Sequence, residues 1–148
     1  MASDSSPGVD TPTVRLRKIG PPIMIRRLPQ FLLGASGALL ALGGLMHARA
    51  FGKAAAAVAS SNLPTFYANS LKGLWLIDSA TLLVLALVFG LIAARPLLAA
   101  GSLIALLALI PAATAAFLYA FIGMFLPAHV LLAAAIMAAV AGMFRARG

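Results

Sequence analysis

The chain has no cysteine and only three acidic residues. Without cysteine there is no disulfide, no thiolate metal site, no iron–sulfur cluster and no cysteine nucleophile. Two of the acids, Asp4 and Asp10, lie in the first ten residues, so Asp78 is the only carboxylate side chain in the remainder. No pair of carboxylates exists there for acid–base work. The sequence also has no P-loop, no H-E-x-x-H and no G-x-S-x-G, the spacings that build phosphate cradles, zinc sites and nucleophile elbows. An independent hydrolase or NTPase is a poor fit, and no residue is assigned a catalytic or metal-binding role. Only 9% of the 148 residues are charged, against about a quarter in soluble domains. A water-soluble fold would have little with which to cover its surface.

Apolar side chains fill that deficit. They make up 63% of the chain, and the mean hydropathy is +1.06. Four apolar runs stand out: Phe31 to Met46, Leu74 to Ala94, Leu97 to about Ile122, and His129 to Phe144. A bilayer span needs about 20 such residues, with a range of about 17–25. The first and fourth runs are short, but both are flanked by arginines that can snorkel to the interface. The pattern predicts an all-α, polytopic transmembrane four-helix bundle.

Residues 1–22 are rich in Ser, Pro, Gly and Thr. Segments of this kind bury too little apolar area to offset ordering entropy. Residues 1–27 are therefore expected to form a disordered, basic, cytoplasmic segment ahead of a four-helix domain at 28–148. Met24 offers a second plausible start. The Arg26-Arg27 pair before Phe31-Leu32-Leu33, with Ala48-Arg49-Ala50 beyond, also has the form of a twin-arginine signal peptide. A basic flank before a first span explains the same residues, and three further hydrophobic runs follow.

The net charge of +8 does not indicate nucleic-acid binding, because the basic residues sit at the ends of apolar runs. Arg15, Arg17, Lys18, Arg26, Arg27, Arg95, Arg145 and Arg147 fall on one side of the membrane, and Arg49, Lys53 and Lys72 on the other. The positive-inside rule then places both termini in the cytoplasm of a bacterial-type inner membrane, which agrees with an even number of spans.

The connection 49–73 is too apolar for a plain loop. Ala54 to Ala59 is strongly helix-forming, Ser60 to Pro64 breaks the helix, and Thr65 is a fair N-cap for the next one. Helices one and two are expected to extend beyond the membrane as an outer-side hairpin turning at 61–64. Pro111 should bend helix three, with Thr114 satisfying freed carbonyls. The short Gly123–Pro127 connection predicts that helices three and four are antiparallel neighbours.

If the first hairpin turns near 62–63, His47 comes level with Asp78, and Arg49 falls within a turn of them. Trp75 marks the interface. Tyr119 and His129 close the other hairpin. The expectation is that His47, Arg49, Trp75, Asp78, Tyr119 and His129 share one layer near the outer surface. Four readings of that layer compete. It is a structural polar cluster, a site for a lipid, quinone or small amphiphile, a proton-titrating Asp–His pair, or a metal or haem site on the two histidines.

The start of span two, Leu71-Lys72-Gly73-Leu74-Trp75-Leu76-Ile77-Asp78, and its Ala94-Arg95-Pro96 close resemble the DoxX-like group of small bacterial four-helix membrane proteins, as does the extended outer segment after span one. The likeness covers residues 31–144. Some members of that group are linked to quinone-dependent redox chemistry, so the resemblance implies a quinone as the cofactor class of the alternative reading. The leading expectation is a non-enzymatic accessory or interaction protein, without a cofactor. Its partners would be the lipid bilayer and a homo-oligomer or larger membrane complex.

Overall fold

A computed structural model describes residues 23–146, with side chains from Arg27 onward. Of the segment 1–27 expected to be disordered, residues 1–22 lie outside that description, and residues 23–27 belong to the first helix. The described chain forms α1 (Ile23–Ala59), α2 (Thr65–Ala94), α3 (Gly101–Phe121) and α4 (Leu126–Ala146), with a single 3₁₀ turn at Pro96–Leu98. All four helices are long and apolar enough to cross a bilayer, so the chain is a multi-pass membrane protein. Large apolar side chains such as Leu106, Leu109, Val84 and Leu87 are exposed on the bundle surface. A lipid environment stabilises them there, whereas water would not.

Each helix stops for a local reason. At the end of α1, the hydroxyls of Ser60 and Ser61 donate to the carbonyls of Ala57 (3.0 Å) and Val58 (2.6 Å). These carbonyls have lost their helical partners. Pro64 precedes α2 and makes no side-chain cap, and Thr65 is the first helical residue rather than the cap. Pro96 forces Arg95 out of the helical region, at φ −127° and ψ 82°. Helix α3 therefore begins at Gly101, later than the apolar run that starts at Leu97. Gly123, at φ 93°, adopts the left-handed conformation that closes α3, and its N–H donates to Leu118 O at 3.1 Å.

Helix α1 packs against both α2 and α4, α3 packs against α4, and α2 and α3 barely meet. The close pair α1–α4 thus forms the middle, with α2 and α3 on its flanks. Leu33, Leu40, Phe89 and Ile104 are completely buried between the helices, together with Ala134, Ala138 and Ala141 of α4. Small residues let these backbones approach. A β-carbon on Gly142 would lie 2.8 Å from Gly101 O, so α3 and α4 cross almost backbone to backbone. Pro111 is buried inside α3. Thr114 donates to Ile110 O at 3.0 Å. The carbonyl that Pro111 leaves free belongs to Leu107, one turn earlier, so Thr114 does not serve it.

Two interhelical hydrogen bonds set the relative heights. The buried Ser36 hydroxyl donates to Ala134 O at 2.8 Å, tying α1 to α4. His47 meets Ser79 at 2.8 Å, tying α1 to α2. Moving up α1 from Ser36 to His47 corresponds, on the antiparallel α4 side, to moving from Ala134 to Gly123. His47 therefore stands level with the α3–α4 turn. From there α1 runs on to Ala59, about 18 Å at 1.5 Å per residue. The α1–α2 hairpin projects by that distance past the shorter hairpin. At the opposite end Arg27, Arg95 and Arg145 come to similar heights. Arg145 donates to Ile92 O (3.2 Å) and Pro96 O (3.3 Å), where a cation complements the C-terminus of α2.

Candidate functional site

The main polar cluster joins α1 to α2 where the long hairpin leaves the bundle. Positions 75, 78 and 79 of α2 lie within about one turn, which 3.6-residue periodicity places beside one another. The His47 imidazole stacks on the Trp75 indole, with centroids 4.2 Å apart and an interplanar angle of 9°. Trp75 Nε1 donates to His47 O at 2.8 Å. Ser79 Oγ also reaches its own backbone, donating to Trp75 O at 3.0 Å. Ser79 Oγ and His47 Nδ1 share a hydrogen bond of 2.8 Å whose direction follows the imidazole tautomer. Asp78 Oδ2 lies 3.6 Å from the same Nδ1, too far for a hydrogen bond.

This set contains Ser, His and Asp but not the geometry of a nucleophilic triad. In a triad the serine gives its proton to one ring nitrogen and the carboxylate holds the other. Here Ser79 and Asp78 both face Nδ1. His47 Nε2 has no hydrogen-bond partner among the described residues. His47 and Asp78 side chains are 29% and 38% exposed, so neither is enclosed by the bundle.

Tyr119 and His129 form a separate pair between α3 and α4, edge to face with centroids 5.5 Å apart. His129 Nδ1–H donates to Phe125 O at 2.8 Å. The register places His129 about 9 Å closer to the bundle middle than His47. It also precedes Ala134, the residue facing α1, by five positions, a rotation of about 140° around α4. His129 is exposed and turned away from α1. The single layer expected from sequence is thus two pairs at different heights, and the histidines do not face each other. Arg49 is exposed and joins neither pair.

Sequence reasoning missed Ser79, Ser36 and the capping role of Arg145. Ser79 carried one signal, its place a turn after Trp75 and next to Asp78. An apolar groove of about 470 Å³ also opens between α1 and α2, lined by Gly34, Ala38 and Ala41 on one side and Leu87, Gly90 and Leu91 on the other. It lies in the opposite half of the hairpin, and none of the cluster residues lines it.

No family model, curated protein or solved structure matches the chain.

Proposed function

We propose that the chain is a non-enzymatic accessory protein of a bacterial-type inner membrane, with cytoplasmic termini, which holds its α1–α2 hairpin out from the opposite face for a partner to dock on. The observation that carries this reading is that the hydrogen bonds of the polar cluster are spent on the α1–α2 seam. Trp75 Nε1, His47 Nδ1 and the Ser79 hydroxyl all bond across or along the α1–α2 seam. The ring stack fills the same seam. Such a set fixes register at the base of the projecting hairpin. The excess of arginine and lysine at the other end supports the orientation.

A second reading has one observation in its favour. The unpartnered Nε2 of His47 stands level with the α3–α4 turn, where a quinone, a quinol or a small amphiphile can hydrogen-bond to it. This is also the chemistry that the DoxX-like resemblance implies. Native mass spectrometry of the chain released from a mild detergent, with an optical spectrum of the same sample, separates the two. A chain without small molecules, whose Asp78→Asn variant is only less stable, supports the accessory reading. A retained quinone, lost in a folded Asp78→Asn or His47→Leu variant, overturns it.

A further inference from the structure

We propose that the groove between α1 and α2 is a site for an anionic phospholipid, with one acyl chain lying in the groove and the phosphate held by Arg95 and Arg27. The inference does not depend on what docks on the hairpin. It takes from the proposed orientation only the leaflet, the cytoplasmic one. The groove exists because its walls are small. Gly34, Ala38 and Ala41 of α1 face Leu87, Gly90 and Leu91 of α2. At its floor the helices touch, since a β-carbon on Gly37 would lie 3.0 Å from Ala86 O and 3.4 Å from Gly90 N. Above the floor the space is open. Nothing lies within 4 Å of a β-carbon built on Gly34 or Gly90.

Positive charge stands at one end of these walls. Arg27 precedes Gly34 by seven residues, two turns down the same side of α1, and Arg95 follows Leu91 by one turn of α2. The contacts of Gly37 with Ala86 and Gly90, and of His47 with Ser79, give an antiparallel register that sets Gly34 level with Ile92. Arg95 then lies about 5 Å below Gly34 and Arg27 about 10 Å below it. Both arginines are exposed, and the Arg95 guanidinium has no partner among the described residues. Arg145, at the same end, is turned to Ile92 O and Pro96 O instead.

Shape and charge together select the occupant. From Gly34 to Ala41 the groove runs about 10 Å, most of the roughly 15 Å of hydrocarbon in one leaflet. A helix about 10 Å wide laid across it would meet only about 100 Å², far short of the about 1,000 Å² of a specific interface. An acyl chain fits inside the groove and gains dispersion contacts on three sides, where a chain against a flat helix face gains them on one. No hydrophobic force acts between helices and lipid tails, so the headgroup makes the choice. A guanidinium meets a phosphate through two parallel N–H···O bonds. Basic pockets between helices on the cytoplasmic side take anionic headgroups, at about fivefold in affinity per arginine.

The test is native mass spectrometry of the full chain released from bilayers of phosphatidylcholine with a minor share of phosphatidylglycerol. The proposal expects the 15.1 kDa chain to retain one phosphatidylglycerol, well above that lipid's share of the bilayer. Arg95→Gln should lower the retention about fivefold. Gly34→Leu and Gly90→Leu fill the groove from opposite walls, where a β-carbon meets no atom, and each should release the lipid while helicity is kept. Arg49→Gln, at the other end of α1, should change nothing. Retention that follows the bilayer composition overturns the proposal. Loss in Arg95→Gln with both leucine variants still loaded marks charge attraction without the groove, and overturns it too. So does loss in the leucine variants alone, which marks an apolar seat that ignores the headgroup. A parent of twice the single-chain mass that Gly34→Leu splits would give the groove to a second copy, and the lipid site would fall.

Discussion

Replacing Gly101 by alanine tests how closely α3 and α4 approach. A β-carbon there would collide with the carbonyl oxygen of Gly142 and lie 2.7 Å from the amide nitrogen of Ala146. Both are backbone atoms, so no side chain can rotate aside, and the helices must separate. Overpacking of this kind costs about 1–3 kcal/mol. Gly101 is the first residue of α3, so alanine recovers little helix propensity there. Gly34 is the matched control. No atom lies within 4 Å of its β-carbon position, and it sits inside α1, where alanine gains about 0.5–1 kcal/mol over glycine. The two variants, identical in chemistry, should therefore differ by about 1.5–4 kcal/mol with opposite signs relative to the parent. Reversible unfolding in mixed micelles, followed by helicity, measures both. Equal stability of Gly101→Ala and the parent would refute the close crossing, as would a larger loss from Gly34→Ala than from Gly101→Ala.

Other consequences are as specific. Ser36→Ala should destabilise the bundle by about 0.6–1 kcal/mol in the same assay, the worth of one interhelical hydrogen bond in a membrane; no change would mean that the bond to Ala134 O does not couple α1 to α4. Arg145→Met keeps much of the apolar stem but removes the donors to Ile92 O and Pro96 O, so amides near the end of α2 should exchange faster while those of α3 keep their rates. An impermeant thiol reagent added outside cells should label Ser61→Cys and not Arg147→Cys, and the reverse pattern would refute the proposed orientation.

Much of this architecture was legible because bilayers impose simple rules. The four apolar runs, the Ser60–Pro64 break and the Gly123 turn each carry a local signal, and the helices form there. The start of α3 was less legible. Leu97 and Leu98 are apolar enough for a span, but Pro96 commits them to a connector. The height of the α3–α4 hairpin was not legible at all. It depends on how α1 and α4 slide against each other, which the Ser36–Ala134 contact decides. A serine hydroxyl bonded to a distant backbone carbonyl leaves no trace in the sequence of its partner. For the same reason His47 and Asp78 could be matched by counting around one turn, whereas His129 could not be placed relative to either.

The claim at the centre of the account is that the His47 cluster holds the projecting hairpin together. Hydrogen exchange on His47→Ala in lipid bilayers tests it most directly. The substitution removes the bond to Ser79 and the stack on Trp75, together about 1–3 kcal/mol. The account predicts that amides of Ala54–Ala59 and of the first turns of α2 exchange about five- to 160-fold faster than in the parent, with α3 and α4 unaffected. Unchanged exchange in the hairpin, or a loss of protection spread evenly over all four helices, would contradict it.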